Sequence, residues 1–134
     1  MLTQPKQIIL TLLTFAAHAK TKSLIQSFLL FTSEPSASPL KVRGHNTSST
    51  SIFVTWDDIS AFERNGIIIS YNITYHSMPE GHSNSTTVDF PGRQVTLMGL
   101  REFVNYSITV SASTVIGPGP ASYPIIVRTG EGGK

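Results

Sequence analysis

The chain has 134 residues, ten Lys/Arg against eight Asp/Glu, and no cysteine. That length holds one ordinary domain and not two, and the missing cysteine excludes disulfides, thiolate zinc sites and thiol nucleophiles together. From Pro39 to Thr129 six basic residues (Lys41, Arg43, Arg64, Arg93, Arg101, Arg128) balance six acidic ones (Asp57, Asp58, Glu63, Glu80, Asp89, Glu102), so no clustered basic face is left for nucleic acid.

Residues 1–19 begin polar with one Lys and continue as Ile8-Ile9-Leu10-Thr11-Leu12-Leu13-Thr14-Phe15-Ala16. They close on Ala17-His18-Ala19 before Lys20. This is the layout of a secretory signal peptide, a cationic start followed by an apolar stretch and small residues at the cleavage point. A buried or interfacial helix, or a misassigned start, shares parts of that layout. A membrane span is not expected, because extending the run to Phe31 would place Lys20 and Lys22 in mid-bilayer at about 2.5 kcal/mol or more each. Contact with a membrane is therefore expected only through a parent protein. In residues 20–38, Leu24, Phe28 and Phe31 have helical spacing, but Thr32-Ser33-Glu34-Pro35-Ser36-Ala37-Ser38 has linker composition, and the segment reads as a poorly ordered tether.

From Pro39 onward short alternating runs are separated by turn residues, the pattern of an all-β sandwich. The first strand is expected over about Leu40 to Gly44. The second, Ser51 to Asp57, places Ile52, Val54 and Trp56 on one face. After Asn65-Gly66 the third, Ile67 to His76, turns Ile67, Ile69, Tyr71, Ile73 and Tyr75 inward. A fourth (about Ser85 to Phe90) and a fifth (Arg93 to Met98) flank Pro91-Gly92. The sixth, Val104 to Val115, alternates Tyr106, Ile108, Val110 and Ala112 with Ser107, Thr109, Ser111 and Ser113. Successive strand side chains point to opposite faces, so one face there is apolar and the other polar. The seventh, Ser122 to Arg128, follows Gly117-Pro118-Gly119-Pro120, and residues 130–134 form a flexible tail. Trp56, Tyr71, Ile73, Tyr75, Leu97, Leu100, Tyr106, Ile108 and Val110 are the expected core.

Several of these stretches resemble, in order, the parts of a fibronectin type III domain. Ser38-Pro39-Leu40-Lys41-Val42 is similar to the family's opening strand, and Ser51-Ile52-Phe53-Val54-Thr55-Trp56 to its second strand with the core tryptophan. Tyr71-Asn72-Ile73-Thr74-Tyr75 is similar to its third strand. Leu97-Met98-Gly99-Leu100 with Tyr106 resembles its tyrosine corner, and Gly117-Pro118-Gly119-Pro120-Ala121-Ser122 the turn before its last strand. Asp57-Asp58-Ile59 departs from the proline the family commonly carries after the tryptophan. The resemblance, which covers residues 39–129, implies a seven-stranded immunoglobulin-like sandwich without catalytic machinery, set in tandem arrays of adhesion or receptor proteins.

Four Asn-x-Ser/Thr sequons begin at Asn46, Asn72, Asn84 and Asn105. If Tyr71, Ile73, Tyr106 and Ile108 face inward, Asn72 and Asn105 face outward, while Asn46 and Asn84 fall in polar loops. In a secreted chain at least one is expected to carry sugar. His45, His76 and His82 lack metal-ligand spacing, no Gly-x-Ser-x-Gly elbow is present, and Asp57-Asp58 reads as a solvated strand end. Arg43-Gly44-His45 lacks the aspartate of the integrin-binding tripeptide, and the Trp-Ser-x-Trp-Ser motif of cytokine receptors is missing. No cofactor, metal or small-molecule substrate is expected. The outward apolar residues Phe53, Ile68, Met98 and Ile126 are the candidate contacts for a protein partner or a neighbouring fibronectin- or immunoglobulin-type domain. The expected role is a non-catalytic binding or spacer module of a secreted or cell-surface adhesion or receptor protein. Two alternatives are an accessory module of an enzyme, such as a receptor tyrosine phosphatase or extracellular hydrolase, and an intracellular module of the muscle-filament type.

Overall fold

Alternation of apolar and polar residues becomes two facing sheets in the computed structural model, which describes residues 33–79 and 81–132. The segment read as a signal peptide, and residues 20–32 after it, lie outside the described residues. The strands are β1 (Leu40–Ser48), β2 (Ser51–Asp57), β3 (Ser70–Ser77), β4 (Ser83–Asp89), β5 (Gln94–Leu97), β6 (Asn105–Ser113) and β7 (Ile125–Arg128). They pair antiparallel as a three-stranded sheet, β1-β2-β5, and a four-stranded sheet, β4-β3-β6-β7. This is an immunoglobulin-like sandwich.

The interior is supplied by the inward positions of the central strands. Ile52, Val54 and Trp56 of β2 face Tyr71 and Ile73 of β3 and Ile108 and Val110 of β6, all buried with Leu97, Leu100, Tyr106 and Ala112. Trp56 meets Tyr71 edge to face, ring centroids 5.4 Å apart, a favoured aromatic geometry. Tyr75 is half-buried at the margin, tilted against Tyr106. β1 closes the seam between the sheets. Its register breaks between Leu40 and Arg43, and a Cβ at Gly44 would stand 3.2 Å from the Ile125 side chain and 3.3 Å from that of Val127. Glycine there lets β1 approach β7.

Three expectations need correction. Ile67 and Ile69 are exposed, Ile67 at 62%, while Ile68, expected outside as a partner contact, is buried at 2%. Strand structure starts only at Ser70, and the irregular chain before it turns Ile68, with Ile59, into the open end of the sandwich. Asn46 and Asn84 lie in strands β1 and β4, not in loops. Finally, order begins before Pro39. Pro35 is buried, and residues 33–36 are hydrogen-bonded to two later loops.

Candidate recognition surface

The strand registers bring three connections to one end of the sandwich. Ser70 pairs with both Asp89 and Ser113, and Leu40 with Asp57. The β2–β3, β4–β5 and β6–β7 links therefore share a pole with the chain leading into β1.

The β2–β3 link is built on Asp58. One carboxylate oxygen accepts the Ile59 N–H at 2.8 Å and the Tyr71 hydroxyl at 2.9 Å. The other meets Arg64 at 2.8 Å. Asp58, expected as a solvated strand end, is thus a largely buried hub joining loop to core. Burial of the phenol, reinforced by its bond to the Asp58 carboxylate, holds Tyr71 protonated above the usual tyrosine range. A 3-10 turn over Ala61–Glu63 follows and presents Phe62 to solvent.

Residues 33–36 run across this pole as a strap. The Glu63 carbonyl accepts the Ser36 N–H at 2.8 Å, and the Glu34 carbonyl accepts the Asn65 side-chain amide at 3.1 Å. On the β6–β7 side the Thr114 hydroxyl donates to the Ser33 carbonyl at 2.8 Å. A Cβ at Gly119 would stand 2.6 Å from the Pro35 carbonyl oxygen, so glycine is what lets the strap close. The Gly119 N–H donates to the Ala112 carbonyl at 2.8 Å and fixes the turn below.

On these pinned loops stand Phe62 (90% exposed), Ile67, Ile69, Phe90, Val115 (74%) and Ile116. A soluble surface normally scatters such side chains singly, whereas gathered apolar groups mark contact sites. None of the six was singled out as a contact by sequence. The signal available was Phe62 and Val115-Ile116 lying within turn-rich stretches, where a core role is not expected.

The four contacts expected from sequence do not come together. Phe53 is half-buried on the outer face of β2, its ring 5.7 Å from that of His45, and Met98 is exposed just beyond β5 of the same sheet. Ile126 is exposed on β7 of the other sheet, and Ile68 is core. The sequon asparagines are also dispersed. Asn46 donates its amide to the Arg128 carbonyl at 2.9 Å. Asn72, in mid-β3, donates to the Ser113 hydroxyl at 3.2 Å and accepts from Thr87 at 3.1 Å. Asn105 accepts from the Arg128 guanidinium at 3.1 Å, and Asn84 is exposed on β4. Among the described residues no group of three or more His, Asp or Glu could hold a metal.

At the opposite pole the Tyr106 hydroxyl accepts the Arg101 N–H at 2.9 Å, the corner that the family resemblance implied. The fibronectin type III domain profile matches residues 34–128, which takes in all of the strap but Ser33. The chain belongs to the fibronectin type III family. Receptor-type tyrosine-protein phosphatase F of Mus musculus is 39% identical over 102 residues, covering 74% of this chain. Sidekick-1 of Gallus gallus is 40% identical over 98 residues, 72% of this chain. The chain spans only about 5% and 4% of the lengths of those two relatives. Among solved structures, the fn3 domain of human contactin 1 superposes with a TM-score of 0.69 at 26% identity, covering 78% of this chain and 86% of that one. The match begins at residue 34, ahead of Pro39.

Proposed function

We propose that this fibronectin type III domain is a non-catalytic protein-binding and spacing module of a cell-surface or secreted adhesion or receptor protein, and that it meets its partner through the loop pole. The observation that carries the reading is six exposed apolar side chains on three connections, two of them held by the Asp58 hub and the strap and the third tied in by the Phe90 N–H, which donates to the Ile69 carbonyl at 3.0 Å. A surface already ordered before contact spends less free energy on ordering when it binds. The extracellular setting is supported by the four sequons and by relatives named as receptors. The relatives named as receptor-type phosphatases favour a second reading, in which the domain is an accessory module of such an enzyme. A longer transcript that encodes a phosphatase domain downstream would select it.

The test is binding of the secreted chain, displayed multivalently, to a panel of cell-surface ectodomains. The double substitution Phe62→Ser with Val115→Ser is expected to abolish any interaction found, and Met98→Ser to leave it intact. The reverse pattern would move the contact to the β1-β2-β5 face.

A further inference from the structure

The four sequons differ in what their amide nitrogens already do. N-linked transfer joins Nδ2 to C1 of a lipid-pyrophosphate-linked oligosaccharide. The C1–O bond to the pyrophosphate breaks, the lipid pyrophosphate leaves, and one amide proton is released. In the product the nitrogen keeps one N–H and carries a bulky, hydrated group that must project clear of the protein.

At Asn46 and Asn72 the nitrogen is engaged. Asn46 uses it on the Arg128 carbonyl, across the seam between β1 and β7. Asn72 is held at both amide atoms in the central strand, Oδ1 by Thr87 of β4 and Nδ2 by Ser113 of β6. A sugar there would have to displace the bond from Nδ2 to Ser113 and stand among the side chains of both neighbouring strands. At Asn105 only the oxygen is engaged, by Arg128, and Nδ2 has no partner among the described residues. Asn84 is exposed on the edge strand β4, with no hydrogen bond from its side chain among the described residues.

We infer that Asn84 and Asn105 carry N-linked glycan and that Asn46 and Asn72 stay bare. Asn84 pairs with Tyr75, and the Asn105 carbonyl accepts the Met78 N–H at 2.9 Å. Both therefore sit at the end of the four-stranded sheet remote from Ser70 and the apolar loops. Sugars at these two positions crowd one pole and leave the recognition loops uncovered. The inference rests on the extracellular reading above, and the experiment separates the two.

The full chain is expressed in a secreting human cell line in two forms, one with its own amino terminus and one preceded by a heterologous signal sequence. Occupancy is read at each asparagine by peptide mass spectrometry after glycosidase release in heavy-oxygen water. Cytosolic retention of the first form without added mass would contradict the extracellular reading alone. In the second form Asn84 and Asn105 are expected to be mostly occupied and Asn46 and Asn72 mostly unoccupied, with N84Q and N105Q each removing one glycan. Occupancy at Asn46 or Asn72 equal to or above that at Asn84 and Asn105, or no sugar at any of the four, would overturn the site assignment.

Discussion

The two poles of the sandwich are finished by different chemistry. At the loop pole a carboxylate and a guanidinium, Asp58 and Arg64, sit beneath hydrocarbon and hold it in place. At the other pole the backbone is tied by neutral hydroxyls. The Thr129 hydroxyl donates to the Arg101 carbonyl at 2.6 Å and accepts the Val104 N–H at 3.0 Å, beside the Tyr106 corner. The surface there presents amides and the Arg128 guanidinium, which lies 4.5 Å from the Phe103 ring centre. A shared core thus leaves each end free to be specialised. One end uses a charged hub to display apolar groups, and the other uses hydroxyls to tie backbone that needs no display.

Truncation of the shared core should erase the distinction. Trp56→Ala is expected to cost about 3 to 5 kcal/mol and loosen both poles alike, read from denaturant midpoints. Trp56→Phe should cost much less, because the indole N–H has no hydrogen-bond partner among the described residues. Asp58→Ala attacks one pole only. It strands the Tyr71 hydroxyl, the Ile59 N–H and Arg64, and should cost about 2 to 3 kcal/mol. The resulting rise in amide exchange should be confined to the β2–β3 link.

Tyr106→Phe is the matching cut at the other pole. It leaves the Arg101 N–H unpaired, for about 1 to 2 kcal/mol, with no change at Phe62 or Val115. The smallest effect appears in alkali. Folded Tyr71 keeps its proton beyond the pH, about 10, at which an unfolded tyrosine ionises. The unfolded chain therefore deprotonates first, so the contribution is complete below about pH 10 and is lost as pH rises above it. Tyr71→Phe should flatten the Tyr71 part of that fall in urea midpoints. An unchanged slope would separate Tyr71 from the Asp58 hub.

What the sequence made legible follows from how cleanly it alternates. β2 is found over Ser51–Asp57 as expected, because Ile52, Val54 and Trp56 leave one possible inward face. The sixth strand, expected to reach Val115, stops at Ser113, where the tight turn to Gly117 begins. Three consecutive isoleucines at 67–69 carry no parity, so the end plug at Ile68 was out of reach. Uniformly polar strands hide in the same way. Ser83–Asp89 and the outer half of β1 have little apolar rhythm, so Asn84 and Asn46 read as loop residues. The Asp58–Tyr71 bond joins residues 13 apart, and the Ser33–Thr114 bond residues 81 apart. Neither partner choice is written in local pattern.

The most direct test of a preformed loop pole is residue-resolved amide exchange on the full chain without any partner. The N–H groups of Ile59, Ser36 and Gly119, which bond Asp58, Glu63 and Ala112, are expected to exchange slowly, within reach of the strand amides. Exchange at these three positions as fast as in an unstructured peptide would contradict it.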